Sequence, residues 1–182
     1  MLLSLDISTS CTGFCIFNSE NELELISYID LSKHKDFYEK VTEVKSVLHK
    51  IKSDYPIQDV AVEENLQAFR PGLSSAKTLM TLAQFNGTVR WVCHELFDLK
   101  PKAINVNTAR RAVNLKIDRK DKTKTTKEKV LEWVMSDKPD LDWPTKVLKS
   151  GKNKGQVRRL DACYDMADAY VIGKARTLLS NF

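Results

Sequence analysis

The sequence predicts an α/β protein with one mixed, five-stranded sheet flanked by helices. Three observations carry that expectation. Three strand-like runs follow one another within the first 29 residues; beyond them short buried runs alternate with helical ones; and 182 residues with 42% hydrophobic content support one core but hardly two. An opening meander pairs antiparallel, whereas strands separated by a helix pair in parallel through a crossover. A single domain over residues 1–182 is expected.

The elements follow in order. Residues 1–8 and 12–18 are apolar runs separated by the polar turn Ser8–Cys11, and residues 23–29 form a third strand-like stretch after Asn18–Asn21. From Phe37 to Ile51 the positions Phe37, Val41, Val44, Val47, Leu48 and Ile51 recur at helical spacing among Lys and Glu, with Pro56 just beyond. This reads as an amphipathic helix packed on the sheet. Residues 57–63 read as a short buried strand. The Pro71-Gly72 breaker then opens a long helix, Leu73–Leu96, with Ser74 and Ser75 as cap candidates. Ala103–Val106 is a candidate strand and Asn107–Val113 a short helix. A further helix is expected around Lys127–Met135, then a Pro- and Lys-rich connection from Ser136 to Gly155, and a last helix from about Leu160 to Leu179. There is no internal repeat.

Composition narrows the function classes. The longest apolar stretches, such as Val89–Val92 and Tyr170–Ile172, fall far short of the roughly 20 residues needed to span a bilayer. The N-terminus has neither a basic segment nor a small-residue cleavage site, so a cytoplasmic protein with no membrane partner is expected. Cys11, Cys15, Cys93 and Cys163 form no CxxC pair and read as buried reduced thiols; His34, His49 and His94 are isolated, which argues against a structural zinc. A formal net charge of +5 suits a polyanionic partner.

The acidic residues carry the chemistry. Asp6 closes the first strand and Glu63 the fourth, each directly after residues that favour burial. If those strands are parallel neighbours, both carboxylates reach the C-terminal edge of the sheet, where α/β proteins bind ligands. Alternation alone leaves open whether Glu63 or Glu64 faces that edge. In the last helix, Asp161, Asp165 and Asp168 stand at offsets 0, 4 and 7, which at about 100° per residue form one narrow stripe in an apolar frame. Asp161 is equally a helix cap or a neighbour of the site. Like charges held this close repel by several kcal/mol unless a cation or a shared proton relieves them. Hard oxygen ligands without His or Cys select Mg²⁺ or Mn²⁺. Such a site can hold two ions about 4 Å apart and serve phosphodiester hydrolysis.

With these residues in view, the sequence resembles the RuvC-type Holliday junction resolvases of the RNase H-like superfamily, in their phage or viral branch. Leu5-Asp6-Ile-Ser-Thr-Ser-Cys-Thr12-Gly13 looks like the family's first-strand motif; Ala61-Val62-Glu63-Glu64 is similar to its second acidic motif; Asp165-Met-Ala-Asp168-Ala169 matches its C-terminal helix motif. The resemblance implies an RNase H-like fold, a catalytic tetrad of Asp6, Glu63, Asp165 and Asp168 binding two Mg²⁺ ions, with Mn²⁺ as a substitute, and Glu63 as the ligand of its pair. It implies a homodimer acting on four-way DNA junctions by paired nicks, in a bacterium or a virus-infected host cell, with no nucleotide cofactor. Ala83-Gln84-Phe85-Asn86-Gly87 falls where the family's helix contributes to dimerisation. Ser8 stands where the family often has Gly, so the turn after Asp6 must form without glycine's freedom.

Basic residues complete the reading. Residues 109–129 hold nine Lys or Arg against three acids, and six more basic residues lie between Thr145 and Leu160 with no acid among them. Arg110, Arg111, Lys120, Lys122, Lys124 and Lys127 are expected DNA contacts of the kind that position rather than specify. By similarity of Thr126-Lys127-Glu-Lys129-Val130 to the family's basic helix start, Lys127 is the lysine expected near the scissile phosphate. Phe69 and Arg70 fall in the loop where the family places an aromatic wedge. Competing readings are a nuclease of the same fold acting on flaps, RNA–DNA hybrids or ribosomal RNA precursors, and an actin-like ATP-binding domain suggested by Asp6-Ile-Ser-Thr-Ser. The second needs a partner domain and Gly-rich contacts that six glycines hardly supply.

Overall fold

The computed structural model describes residues 1–64, 76–118 and 120–179. Strands β1 (Leu2–Ile7), β2 (Cys11–Phe17) and β3 (Leu23–Asp30) form the expected meander, followed by helix α1 (Phe37–Asp54) and strand β4 (Asp59–Glu63). Helix α2 (Ala76–Phe97), strand β5 (Lys102–Ile104) and helices α3 (Val106–Ala112) and α4 (Thr126–Asp137) come next. The chain then forms strands β6 (Thr145–Val147) and β7 (Val157–Arg159) and ends in helix α5 (Ala162–Leu179).

The main sheet has the order β3-β2-β1-β4-β5, with β1 antiparallel to β2 and parallel to β4. This is the mixed five-stranded α/β architecture the sequence predicts. Alternation divides its side chains between two cores. Leu3, Leu5, Ile7, Val60 and Val62 point to the face covered by α1 and α2, where they meet Val44, Leu48, Phe85, Val89 and Cys93. Leu2, Cys15, Phe17 and Ala61 point to the face covered by α3, α4 and α5. Each fully buried Leu or Val contributes roughly 1.5–3 kcal/mol. The crossover helix α1 starts where Asp36 accepts hydrogen bonds from the amides of Tyr38 and Glu39, and α4 starts on a reciprocal capping box between Thr125 and Glu128.

One difference from the sequence reading has a physical cause. The stretch 136–155, expected as a connection, contributes β6 and part of a two-stranded antiparallel ribbon with β7. Its three-residue strands are exposed on both faces and carry no buried alternation for a pattern to reveal. The turn Ser8–Cys11 needs no glycine: none of its residues has positive φ, and the Ser8 hydroxyl donates to the Cys11 carbonyl at 2.6 Å and accepts from the Cys11 amide at 3.2 Å. The expected start of the long helix, Leu73 to Ser75, and the loop bearing Phe69 and Arg70 lie outside the described residues. Among the described residues no helix is long and apolar enough to cross a membrane.

Candidate active site

Asp6 and Glu63 each follow the last in-register pair of the parallel strands, Leu5 with Val62. Both therefore leave the sheet at its C-terminal edge, and the parity that sends Leu5 and Val62 to the α1–α2 core sends Asp6 and Glu63 to the α5 side. The same parity separates the two neighbours. Glu63 shares its face with Ala61, whereas Glu64 sits at the rim and accepts a hydrogen bond from Asn105 Nδ2 at 3.1 Å.

Helix α5 supplies the other two acids from above. It can lie close because β2 presents Gly13, the register partner of Asp6, beneath it: a Cβ at Gly13 would stand 2.1 Å from the Asp165 carbonyl oxygen. A second anchor is Ser4, whose hydroxyl donates to the Ala169 carbonyl at 2.8 Å. Asp165 and Asp168 then line, with Asp6 and Glu63, one cleft of about 270 Å³ that also receives Ser8, Glu64, Asn86, Arg110 and Lys127. The four acids expected to converge do so. Asp161 goes elsewhere: its exposed carboxylate pairs with Arg158 at 3.6 Å.

The electrostatics follow from burial and proximity. Burial, with Glu63, Asp168 and Asp165 adding repulsion, holds the Asp6 carboxyl well above the usual carboxylate range. Glu63 is pushed up to about 7, first by burial and then by Asp168, while Arg110 and Lys127 pull it back. Asp168 is raised by burial against the opposing pull of Arg110 and Lys127. Lys127 Nζ lies 3.4 Å from Asp165 Oδ1, and an Arg110 Nη lies 3.8 Å from Asp168 Oδ1. For Lys127, burial opposes the ammonium form, but Asp165, Asp168 and Asp6 more than offset it. Arg110 Nε is buried and, among the described residues, has no hydrogen-bond partner, a cost of about 1–3 kcal/mol.

The donor chemistry suits a hard divalent cation, since four oxygen-bearing side chains repel one another across one cleft. Among the described residues no three His, Cys, Asp or Glu side chains stand as a preformed metal-binding group. Asp165 and Asp168 instead face Lys127 and Arg110, each through one carboxylate oxygen.

Other basic positions separate by location. Arg111 turns back on α3, its Nε donating to the Asn107 carbonyl at 3.4 Å. Lys124 pairs with Glu132 at 2.6 Å, and Lys120 and Lys122 lie exposed on the loop before α4, outside the cleft. Lys129 points inward and staples that loop through the carbonyls of Asp118 and Asp121. Sequence reasoning missed Asn86, a buried cleft residue whose helical phase alone could have been read, and Cys11, whose thiol is pushed up by burial and by the nearby Asp165 carboxylate. Nothing in the sequence singles out Cys11.

No protein-family model and no curated protein sequence matches the chain. Solved structures do. Thermus thermophilus RuvC in complex with a Holliday junction substrate superposes with a TM-score of 0.66 at 14% identity, over 99% of this chain and 94% of that one. A second Thermus thermophilus RuvC structure gives 0.60 at 14% identity, over 99% and 95%. The yeast mitochondrial Holliday junction resolvase Ydc2 gives 0.57 at 13% identity, over 100% and 80%. The chain therefore has the RuvC-type, RNase H-like fold.

Proposed function

We propose that this protein is a RuvC-type, structure-selective endodeoxyribonuclease that resolves four-way DNA junctions by paired nicks. The observation that carries the reading is the convergence of Asp6, Glu63, Asp165 and Asp168 on one cleft of this fold, flanked by Arg110 and Lys127. One of the similar structures is a RuvC bound to a Holliday junction substrate, which supports branched DNA as the partner.

In this reading the four carboxylates hold two Mg²⁺ ions, with Mn²⁺ able to substitute. When bound, the ions supply Lewis-acid activation of water and charge stabilisation at a phosphodiester. The chain's own residues do the rest. Lys127, released from Asp165, and Arg110, released from Asp168, turn to phosphate oxygens and fix the backbone in line with the acids. The exposed basic loop with Lys120, Lys122 and Lys124, together with Arg111, positions flanking DNA without reading sequence.

A homodimer gives the paired cuts, because a two-fold enzyme presents two equivalent clefts to a two-fold junction. Helix α2 supports this: Phe85 and Asn86 are buried inward, whereas Met80, Ala83, Gln84, Gly87 and Trp91 are exposed, and Gly87 would meet nothing within 4 Å if given a Cβ. The test is a gel assay of four-way junction, flap, RNA–DNA hybrid and linear duplex at equal concentration with Mg²⁺. Symmetric paired nicks in the junction are expected, and Asp6→Asn and Asp168→Asn are expected to lose cutting by about 10³-fold or more while still shifting the junction. Preferred cleavage of hybrid or flap, or full activity in both variants, defeats the reading.

A further inference from the structure

The ribbon of β6 and β7 stands apart from the carboxylate cleft, and its construction is unusual for a purely structural hairpin. Residues 145–159 are exposed throughout apart from half-buried Leu148. A two-stranded ribbon without a buried face is marginal in water. This one also pairs like charges directly: Lys146 is the register partner of Arg158, an arrangement that destabilises a strand pair.

The tip is nevertheless well defined. The Leu148 amide donates to the Gln156 carbonyl at 2.9 Å and the Gly155 amide to the Leu148 carbonyl at 2.8 Å, with Gly151 and Gly155 at φ +80° and +87° making the turns. Those turns hold out Lys149, Lys152 and Lys154. At the base, the Leu160 amide donates to the Pro144 carbonyl at 2.9 Å and the Cys163 thiol to the same oxygen at 3.4 Å, so the ribbon is clamped to the start of the helix carrying Asp165 and Asp168.

Opposing acids are few. Asp161 lies 3.6 Å from Arg158; Glu128 and Glu132 line the groove between α4 and the ribbon. Glu132 is held by Lys124 and Glu128 by the cap of α4. Among the described residues Lys146, Lys149, Lys152 and Lys154 form no ion pair.

We propose that the β6–β7 ribbon is a second DNA-contacting element, which grips the phosphates of a duplex arm beside the cut through Lys146, Arg158 and the tip lysines. The inference rests on the nuclease reading above and adds to it a contact outside the cleft. A polyanion supplies countercharge to Lys146 and the tip lysines, where Asp161 reaches Arg158 alone, and the clamp at Pro144 ties the held arm to the catalytic helix. Contacts of this kind are sequence-independent and salt-sensitive.

The test compares the full-length protein with Lys146→Gln/Arg158→Gln and with Lys149→Gln/Lys152→Gln/Lys154→Gln, binding both a four-way junction and a plain duplex across a salt series. Each lost phosphate contact should make the plot of log affinity against log salt shallower by about one unit, on both DNAs and for any sequence. Binding near physiological salt should weaken roughly tenfold or more, with the cutting rate at saturating junction within about twofold of the parent. Lys146→Arg/Arg158→Lys should restore the parent slope, and coincident melting curves exclude a folding effect. Unchanged slopes on the duplex overturn the ribbon proposal whether or not the parent cuts junctions. Ribbon-dependent duplex binding by a protein that cuts no junction overturns the nuclease reading alone.

Discussion

Glu63 shows how far a single side chain was readable. Its place at a strand end was plain, and its likeness to an acidic motif singled it out over Glu64, but the face it takes needed the strand parity that pairs Leu5 with Val62. Burial and the nearby Asp168 then raise its carboxyl to about 7. An ordinary glutamate titrates near 4.3 when unfolded, so the folded protein binds this proton more tightly. The resulting stabilisation is fully present below about pH 4.5 and is lost as pH rises through about 7. At about 1.4 kcal/mol per pKa unit the effect is a few kcal/mol at most, or several degrees in melting temperature. In chelator, Glu63→Gln should therefore gain on the parent protein as pH rises from 5 to 8, and Mg²⁺ should stabilise the parent preferentially at the upper end. Melting profiles of the two proteins that stay parallel across that range would show that Glu63 is not held in a shared acidic cleft.

At the level of elements, helix α5 was the most legible part of the chain, because three acids at offsets 0, 4 and 7 in an apolar run leave little freedom for its inner face. Even so, the stripe overreached by one residue. Asp161 precedes the first helical position and turns to Arg158, so helical phase does not apply to it. The ribbon was illegible for the opposite reason, since strands of three exposed residues bury nothing. What joins α5 to the sheet is a missing side chain, at Gly13. Gly13→Ala would place a methyl 2.1 Å from the Asp165 backbone oxygen, which cannot rotate away, so the helix must shift. Overpacking of this kind costs about 1–3 kcal/mol or more, and a displacement near 1 Å in a catalytic constellation can cost about 10²-fold in rate. The expected outcome is a folded protein with a lowered melting temperature and single-turnover junction cutting down by about that factor. A variant that melts lower yet cuts at the parent rate would separate the Gly13 contact from the alignment of Asp165 and Asp168.

For the molecule as a whole, the sheet divides the work between its faces. One face carries α3, α4 and α5 with the acids and basic groups at its edge; the other is closed by α1 and α2, and α2 turns its far side outward. On that side Met80 and Trp91 are 64% and 59% exposed, large apolar groups on either side of the open surface at Gly87. Large exposed apolar groups of this sort, set along one side of a helix, are what a self-complementary two-fold contact uses. The sequence signalled small residues here but not which of them face outward, because Phe85 and Asn86 lie in the same segment and turn inward. Met80→Glu/Trp91→Glu should leave the core intact, since neither side chain contributes to it, and should convert a dimer into a monomer by sedimentation. The monomer should still nick a junction, with the two cuts uncoupled, so that nicked intermediates accumulate before linear duplex products appear. If the double variant sediments as the parent does and still delivers paired cuts in one encounter, α2 is not the dimer contact, and the two clefts must be brought together by another surface.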